Sequence, residues 1–201
     1  MPRHAVVRTL ALGLALGAGL ALAGTQIEEK LAPSVQTALA SAIADRGAPR
    51  LIGDPKVTQA WLAEMSARLA RRMPDAEQRT EFLITVQYEA TRAGLDPQLV
   101  LAVIHHESAF RKYAVSRALA RGYMQVMPFW VRLIGSPEHN LFHLRTNLRY
   151  GCVILRHYLD MEQGNLVRAL ARYNGSLGRT EYPNAVLALL ERFWSWTPPA
   201  N

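Results

Sequence analysis

Apolar residues in this chain return every three or four positions and nowhere alternate with polar ones, so it can build helices with one buried face but no half-buried strands. Proline and glycine separate the stripes. Trp61, Leu62, Met65 and Leu69 define a helix over 55–73, with Arg68, Arg71 and Arg72 near its end, where cations suit the helix dipole. Pro74-Asp75 breaks and recaps the chain, and Phe82, Leu83 and Val86 carry a second helix to about Arg92, stopped by Gly94. Asp96 as cap and Pro97 as first helical residue open a third. Further helices are predicted over 129–134, over 146–161 with Leu148, Cys152, Leu155 and Leu159 on one face, after the cap Asn165 with Leu166, Leu170 and Tyr173 inward, and over 183–196 with Val186, Leu189, Leu190 and Phe193. The class is all-α.

At 201 residues, half of them hydrophobic, the chain suffices for one compact domain and a short extension. Arg3, His4 and Arg8 precede a Gly/Ala/Leu-rich run that contains the small-residue pattern Ala21-Leu22-Ala23, so residues 1–23 read as a cleavable secretory signal. An uncleaved inner-membrane anchor is the alternative, but the run falls short of the roughly 20 residues that a spanning helix needs. Thr25 stands where a lipid-bearing cysteine would have to be, which argues against a lipid anchor. Residues 24–54, with Pro33, Gly47, Pro49 and Gly53, read as a linker with a short helix; residues 55–94 read as two helices packing on a domain over 95–197.

The formal charge of +7 falls to +5 without Arg3 and Arg8, leaving 21 basic against 16 acidic residues. That bias suits an anionic surface such as cell wall or membrane headgroups; export makes nucleic acid the weakest partner, and none is expected. Cys152 is the only cysteine, so no internal disulfide can form, and its apolar run marks it as a buried structural thiol.

The chemistry centres on His105-His106-Glu107-Ser108-Ala109-Phe110. Glu107 falls in the last turn of an otherwise apolar helix, where desolvation and the negative end of the helix dipole both raise a carboxyl pKa. Such a group can act as a general acid near neutral pH. Between Pro97 and Pro137 no other acid occurs, and Glu138 and Asp160 read as solvated charges. His105 and His106 point to different helix faces, and His139 and His143 lack a third ligand, so no metal or other cofactor is expected. His106 reads as a helix-end cation or a cleft-rim residue.

Glu107-Ser108-x-Phe110, Ser116, Gly122-x-Met124-Gln125-x-Met127-Pro128 and Tyr173-Asn174 follow one another in the order and approximate spacing of the soluble lytic transglycosylase (SLT) domain, which this chain resembles over roughly 90–178. The resemblance implies a single lysozyme-like domain, shared with goose-type lysozymes. It would cleave peptidoglycan between N-acetylmuramic acid and N-acetylglucosamine without adding water, leaving a 1,6-anhydro end. Glu107 would be the catalytic acid and then the base. Ser108, Ser116, Met124, Gln125, Tyr173 and Asn174 would be the substrate-binding positions, with the hydroxyl of Tyr173 approaching the acid. A turn former for Ser116 and Asn174, a solvated helix residue for Gln125, and core for Met124 and Tyr173 remain the alternatives. The implied partner is the glycan strand, handled in the periplasm by a monomer, with an envelope-spanning complex as a further partner.

The chain departs from the family pattern where Leu119 replaces a glycine, where Tyr123 replaces a leucine, and where Asn174-Gly175 lacks an intervening small residue. If position 119 needs a positive φ, a leucine there costs on the order of 1 kcal/mol. Two other readings share these residues: a non-catalytic peptidoglycan-binding or secretion-accessory protein, and a goose-type hydrolase, which would need a second carboxylate.

Overall fold

The computed structural model describes residues 26–44 and 47–198. The expected export signal, 1–23, lies outside the described residues. Eight α-helices follow in order: α1 (Pro33–Ala44), α2 (Pro55–Leu69), α3 (Ala76–Arg92), α4 (Pro97–Ser108), α5 (Phe129–Ile134), α6 (Leu144–Met161), α7 (Leu166–Asn174) and α8 (Glu181–Leu189). A π-helical turn, Leu190–Trp194, continues α8. Among the described residues there are no strands, only two isolated bridges, Val115 with Arg121 and Arg121 with Val126, so the all-α expectation holds.

Local capping accounts for the helix starts. The side chains of Asp54, Asp75, Asp96 and Asn165 each accept backbone N–H bonds at the first turns of α2, α3, α4 and α7, and Pro55 and Pro97 occupy first-turn positions where no N–H is needed. The last helix begins at Glu181 rather than Pro183, which places Pro183 inside its first turn.

Packing centres on α4. Leu99, Val100, Leu101, Ala102, Val103 and Ile104 are all buried, so this helix is apolar on every side and has to be enclosed. Helix α3, helix α8 and the π-turn close around it. The segment read as a linker also joins this body: Leu39 and Ile43 of α1 are buried against the core, and α1 packs on α5 and α6.

One ionic knot crosses the apolar interior. Glu89 of α3, with a side chain only 1% exposed, meets Arg149 at 3.0 Å and Arg145 at 3.3 Å from α6, and Arg92 at 3.0 Å on its own helix. Arg149 also donates to the Ile43 carbonyl at 3.0 Å, so the knot joins α1, α3 and α6. Loss of Glu89 would take the shared carboxylate from the buried Arg149, and removing one side of a buried ion pair typically costs about 3–5 kcal/mol.

Helix α6 also positions the loop that follows α4. A Cβ on Gly151 would lie 2.7 Å from the Cβ of Met124, so only glycine lets α6 approach this closely. Asn147, fully buried one turn earlier, accepts from the Met124 N–H at 2.8 Å and donates to the carbonyls of Arg121 and Leu141. Cys152, beside Gly151, is buried, and burial raises its thiol pKa, as suits a structural residue.

Candidate active site

Glu107 sits in the last turn of α4, partly exposed, at the edge of the apolar core. The helix ends one residue later with Ala109 at φ 48° and Phe110 at φ 66°, two successive left-handed residues that reverse the chain and send the Phe110 ring inward. For non-glycine residues this conformation costs of the order of 1–2 kcal/mol each. The reversal turns the chain away just past Glu107, which keeps partial exposure beside the apolar core.

The Tyr182 hydroxyl, from the first turn of α8, donates to Glu107 Oε1 at 2.6 Å. Burial pushes the Glu107 pKa from its ordinary 4.5 up to about 7, and the Tyr182 hydrogen bond pulls in the opposite direction. The group therefore stands between its acid and base forms near neutral pH. Among the described residues no second carboxylate contributes to this shift. Glu138 is bonded to Ser136 and Asp160 to Arg156, so both candidates for a second acid have local partners.

The tyrosine hydrogen-bonded to the acid is thus Tyr182, which the sequence reading did not single out, while Tyr173 lies close enough for the Glu107 charge to help raise its pKa. Tyr173 is buried, and its hydroxyl donates to the Met124 carbonyl at 2.7 Å, pinning the loop to α7. Sequence reasoning passed over Tyr182 because Pro183 looked like the start of the helix. The signal was there: Tyr182 lies one turn ahead of Val186, on the stripe that continues through Leu189 and Leu190 to Phe193.

Most of the other expected positions make hydrogen bonds or core contacts within the loop and helices around Glu107. Ser108 is buried, and its hydroxyl donates back to the Ile104 carbonyl at 3.2 Å. Met124 is fully buried core. Gln125, at φ 49° and buried, is no solvated helix residue: its Nε2 donates to the carbonyls of Ala114 at 3.1 Å and Gly122 at 2.9 Å, bracing the loop. Ser116 forms a turn, its Oγ accepting from the Ala120 N–H at 3.1 Å. Asn174 is buried at the end of α7 and leaves its Nδ2 without a hydrogen-bond partner among the described residues.

Burial acts against a cation at both histidines of α4. It lowers the pKa of His106, whose ring stands edge-on to Tyr182 at 4.8 Å, which disfavours a helix-end cation there. His105 falls to about 4 through burial and the neighbouring charge of Arg72. His139 Nδ1 lies 2.8 Å from the Tyr150 hydroxyl. Among the described residues no three metal-ligating side chains converge.

The fold and site together define an all-α domain built around a single poised carboxyl at the end of a buried helix. Residues 84–185, from α3 to the first turn of α8, match the Transglycosylase SLT domain family, and the chain belongs to that family. Among similar proteins, the membrane-bound lytic murein transglycosylase C of Actinobacillus pleuropneumoniae serotype 5b is 48% identical over 48 residues, which are 24% of this chain and 13% of that protein. The protein of the same name from Yersinia pestis strain Pestoides F is 31% identical over 114 residues, covering 49% of this chain and 32% of its own length. The chain thus spans at most about a third of these relatives. An inactive mutant of the lytic transglycosylase Slt from Pseudomonas aeruginosa aligns over 70% of this chain and 32% of its own, at 22% identity and a TM-score of 0.43.

Leu119, the departure from the family pattern, has φ 70° and is 60% exposed. Its side chain gains little from burial while its backbone bears left-handed strain. Leu119→Gly is expected to raise the unfolding free energy by about 0.5–1 kcal/mol in urea denaturation, the strain relieved exceeding the added freedom of the unfolded chain; a loss of stability would show that the leucine side chain holds the loop.

A raised carboxyl pKa also makes stability depend on pH. The folded state holds a proton on Glu107 that the unfolded state releases between pH 4.5 and about 7, so its relative advantage is full below pH 4.5 and is lost as pH rises through 7. Glu107→Gln removes that loss. It is expected to match the parent in melting temperature at pH 4 and exceed it at pH 8; a difference independent of pH would contradict the raised pKa.

Proposed function

We propose that this domain is a peptidoglycan lytic transglycosylase, cleaving the bond between N-acetylmuramic acid and N-acetylglucosamine to leave a 1,6-anhydro-muramyl end. The observation that carries the reading is one carboxyl at the end of a buried helix, bonded by the Tyr182 hydroxyl at 2.6 Å and raised by burial to a pKa of about 7, with no second carboxylate among the described residues acting on it. Most glycoside hydrolases divide the work between two carboxyl groups. Here Glu107 has to do both halves. Protonated, it gives its proton to the glycosidic oxygen as the bond to the departing sugar breaks, while the substrate's own N-acetyl oxygen bonds to the anomeric carbon. As carboxylate, it takes the proton of the C6 hydroxyl, whose oxygen displaces the N-acetyl group and closes the anhydro ring. The proton lost in the first step is recovered in the second, and water is not consumed.

A pKa close to the working pH suits a group that must donate and then accept. Tyr182 orients the carboxyl, and its donated hydrogen bond strengthens when Glu107 is ionised. Ser108, Met124, Tyr173 and Gln125 support this arrangement through the loop frame; the unpartnered Asn174 amide is a donor for a water or a sugar oxygen. The basic balance of the chain suits an anionic wall. The family and the murein transglycosylase relatives support a periplasmic setting, and no helix of the described residues is long and apolar enough to cross a membrane.

Mass spectrometry of products from purified cell wall tests the reading. Anhydro-muramyl ends are expected, together with a loss of roughly 10²–10⁴-fold in rate for Glu107→Gln. Reducing ends would instead mark a hydrolase, and binding without cleavage an accessory protein.

A further inference from the structure

A second site opens where the end of α2 meets the π-turn after α8. A cavity of about 410 Å³ is lined by Arg68, Arg72, Arg192, Phe193, Trp194 and Ser195; Glu107 is not among its walls. Three arginines line it, and among the described residues no acidic side chain does. Arg68 pairs with Glu64 at 2.7 Å and donates to the carbonyls of Phe193 at 3.1 Å and Ser195 at 2.9 Å, fastening the π-turn to α2, whereas Arg72 and Arg192 are exposed. Arg72 and Arg192 both lie over the Phe193 ring, at 5.9 and 5.2 Å from its centre, and neither meets a carboxylate among the described residues. Two like charges share one aromatic ring.

The partner of Arg72 is a poor one. Its Nη2 stands 3.1 Å from His105 Nε2, while His105 Nδ1 faces the donor Trp194 Nε1 at 3.2 Å. A neutral imidazole has one acceptor nitrogen and one N–H, so whichever tautomer is present, one of these contacts sets donor against donor. Protonating the ring would make both contacts donor against donor, and burial with the Arg72 charge disfavours that form. An anion in the cavity would give Arg72 an acceptor, separate the two guanidinium charges and leave His105 to Trp194 alone.

Resting on the transglycosylase reading, we propose that this cavity is an accessory site for a carboxylate of the peptide stems carried by the same polymer. Guanidinium forks match carboxylates in two-point geometry, the Phe193 and Trp194 rings offer an apolar wall to the peptide beside it, and the volume exceeds what a simple anion needs. The glycan strand would supply this ligand at high local concentration while its sugars are engaged at Glu107.

The test is an NMR titration of the full chain with free stem peptide released from peptidoglycan, read at the Trp194 indole N–H. Saturable binding is expected, weakened at least roughly tenfold by Arg192→Gln and by Arg72→Gln, and lost when the peptide carboxylates are amidated. No binding, equal binding of the amidated peptide, or no effect of either substitution would overturn the proposal. So would binding to anionic phospholipid vesicles through Arg192 without binding of the peptide. Product analysis on peptide-free glycan separates the two readings. Anhydro ends from the parent and from Arg192→Gln, with no peptide binding, would sink the accessory site alone. Peptide binding through Arg192 without anhydro ends from the parent would sink the transglycosylase reading and leave the site standing.

Discussion

A carboxyl group held in apolar surroundings at the end of a buried helix is the constraint on which the rest of the structure depends. To keep Glu107 desolvated, α4 has to be enclosed on all sides, and its run from Leu99 to Ile104 makes it so. To keep the carboxyl within reach of a substrate, the chain has to turn away at once, which the left-handed pair Ala109 and Phe110 achieves. To keep it ionisable at all, one polar group has to face it, and α8 brings Tyr182 there. Desolvation without Tyr182 would hold the proton more tightly; Tyr182 without desolvation would leave an ordinary carboxylate.

The loop after α4 carries the cost of that arrangement. Of the five non-glycine residues with positive φ among the described residues, four lie between Ala109 and Gln125, which places backbone strain at the candidate site and not across the fold. Side chains restrain the loop from several directions: Asn147 and Gly151 of α6 hold Met124, Tyr173 of α7 holds its carbonyl, and Gln125 ties the loop to itself. Several residues of the motif, Met124, Gln125 and Tyr173 among them, therefore also hold the loop in its strained shape.

What could be read in the sequence was what local rules govern. Caps such as Asp96 and Asn165 and the spacing of apolar residues place most helices to within a few positions, and the apolar run before Glu107 already implies a raised pKa. Features that depend on partners far along the chain could not be read this way. Glu89 looks like one more helix charge until Arg149, 60 residues later, is folded against it. Helix α1 looks like linker because its own stripe is short and its burial comes from α5 and α6. The hydrogen bond from Tyr182 has the same origin: Tyr173 and Tyr182 are both inward tyrosines near the acid, and only the packing of α8 against α4 decides which hydroxyl bonds to it.

The central claim is that the environment of one side chain, and not a second acid, sets its chemistry. A direct measurement is the ¹³C NMR titration of the assigned Glu107 carboxyl, in the parent and in Tyr182→Phe. A midpoint near 7 in the parent, moving upward when the tyrosine hydroxyl is removed, is the predicted result. A midpoint near the ordinary glutamate value of about 4.3, or one that moves downward in Tyr182→Phe, would contradict the account.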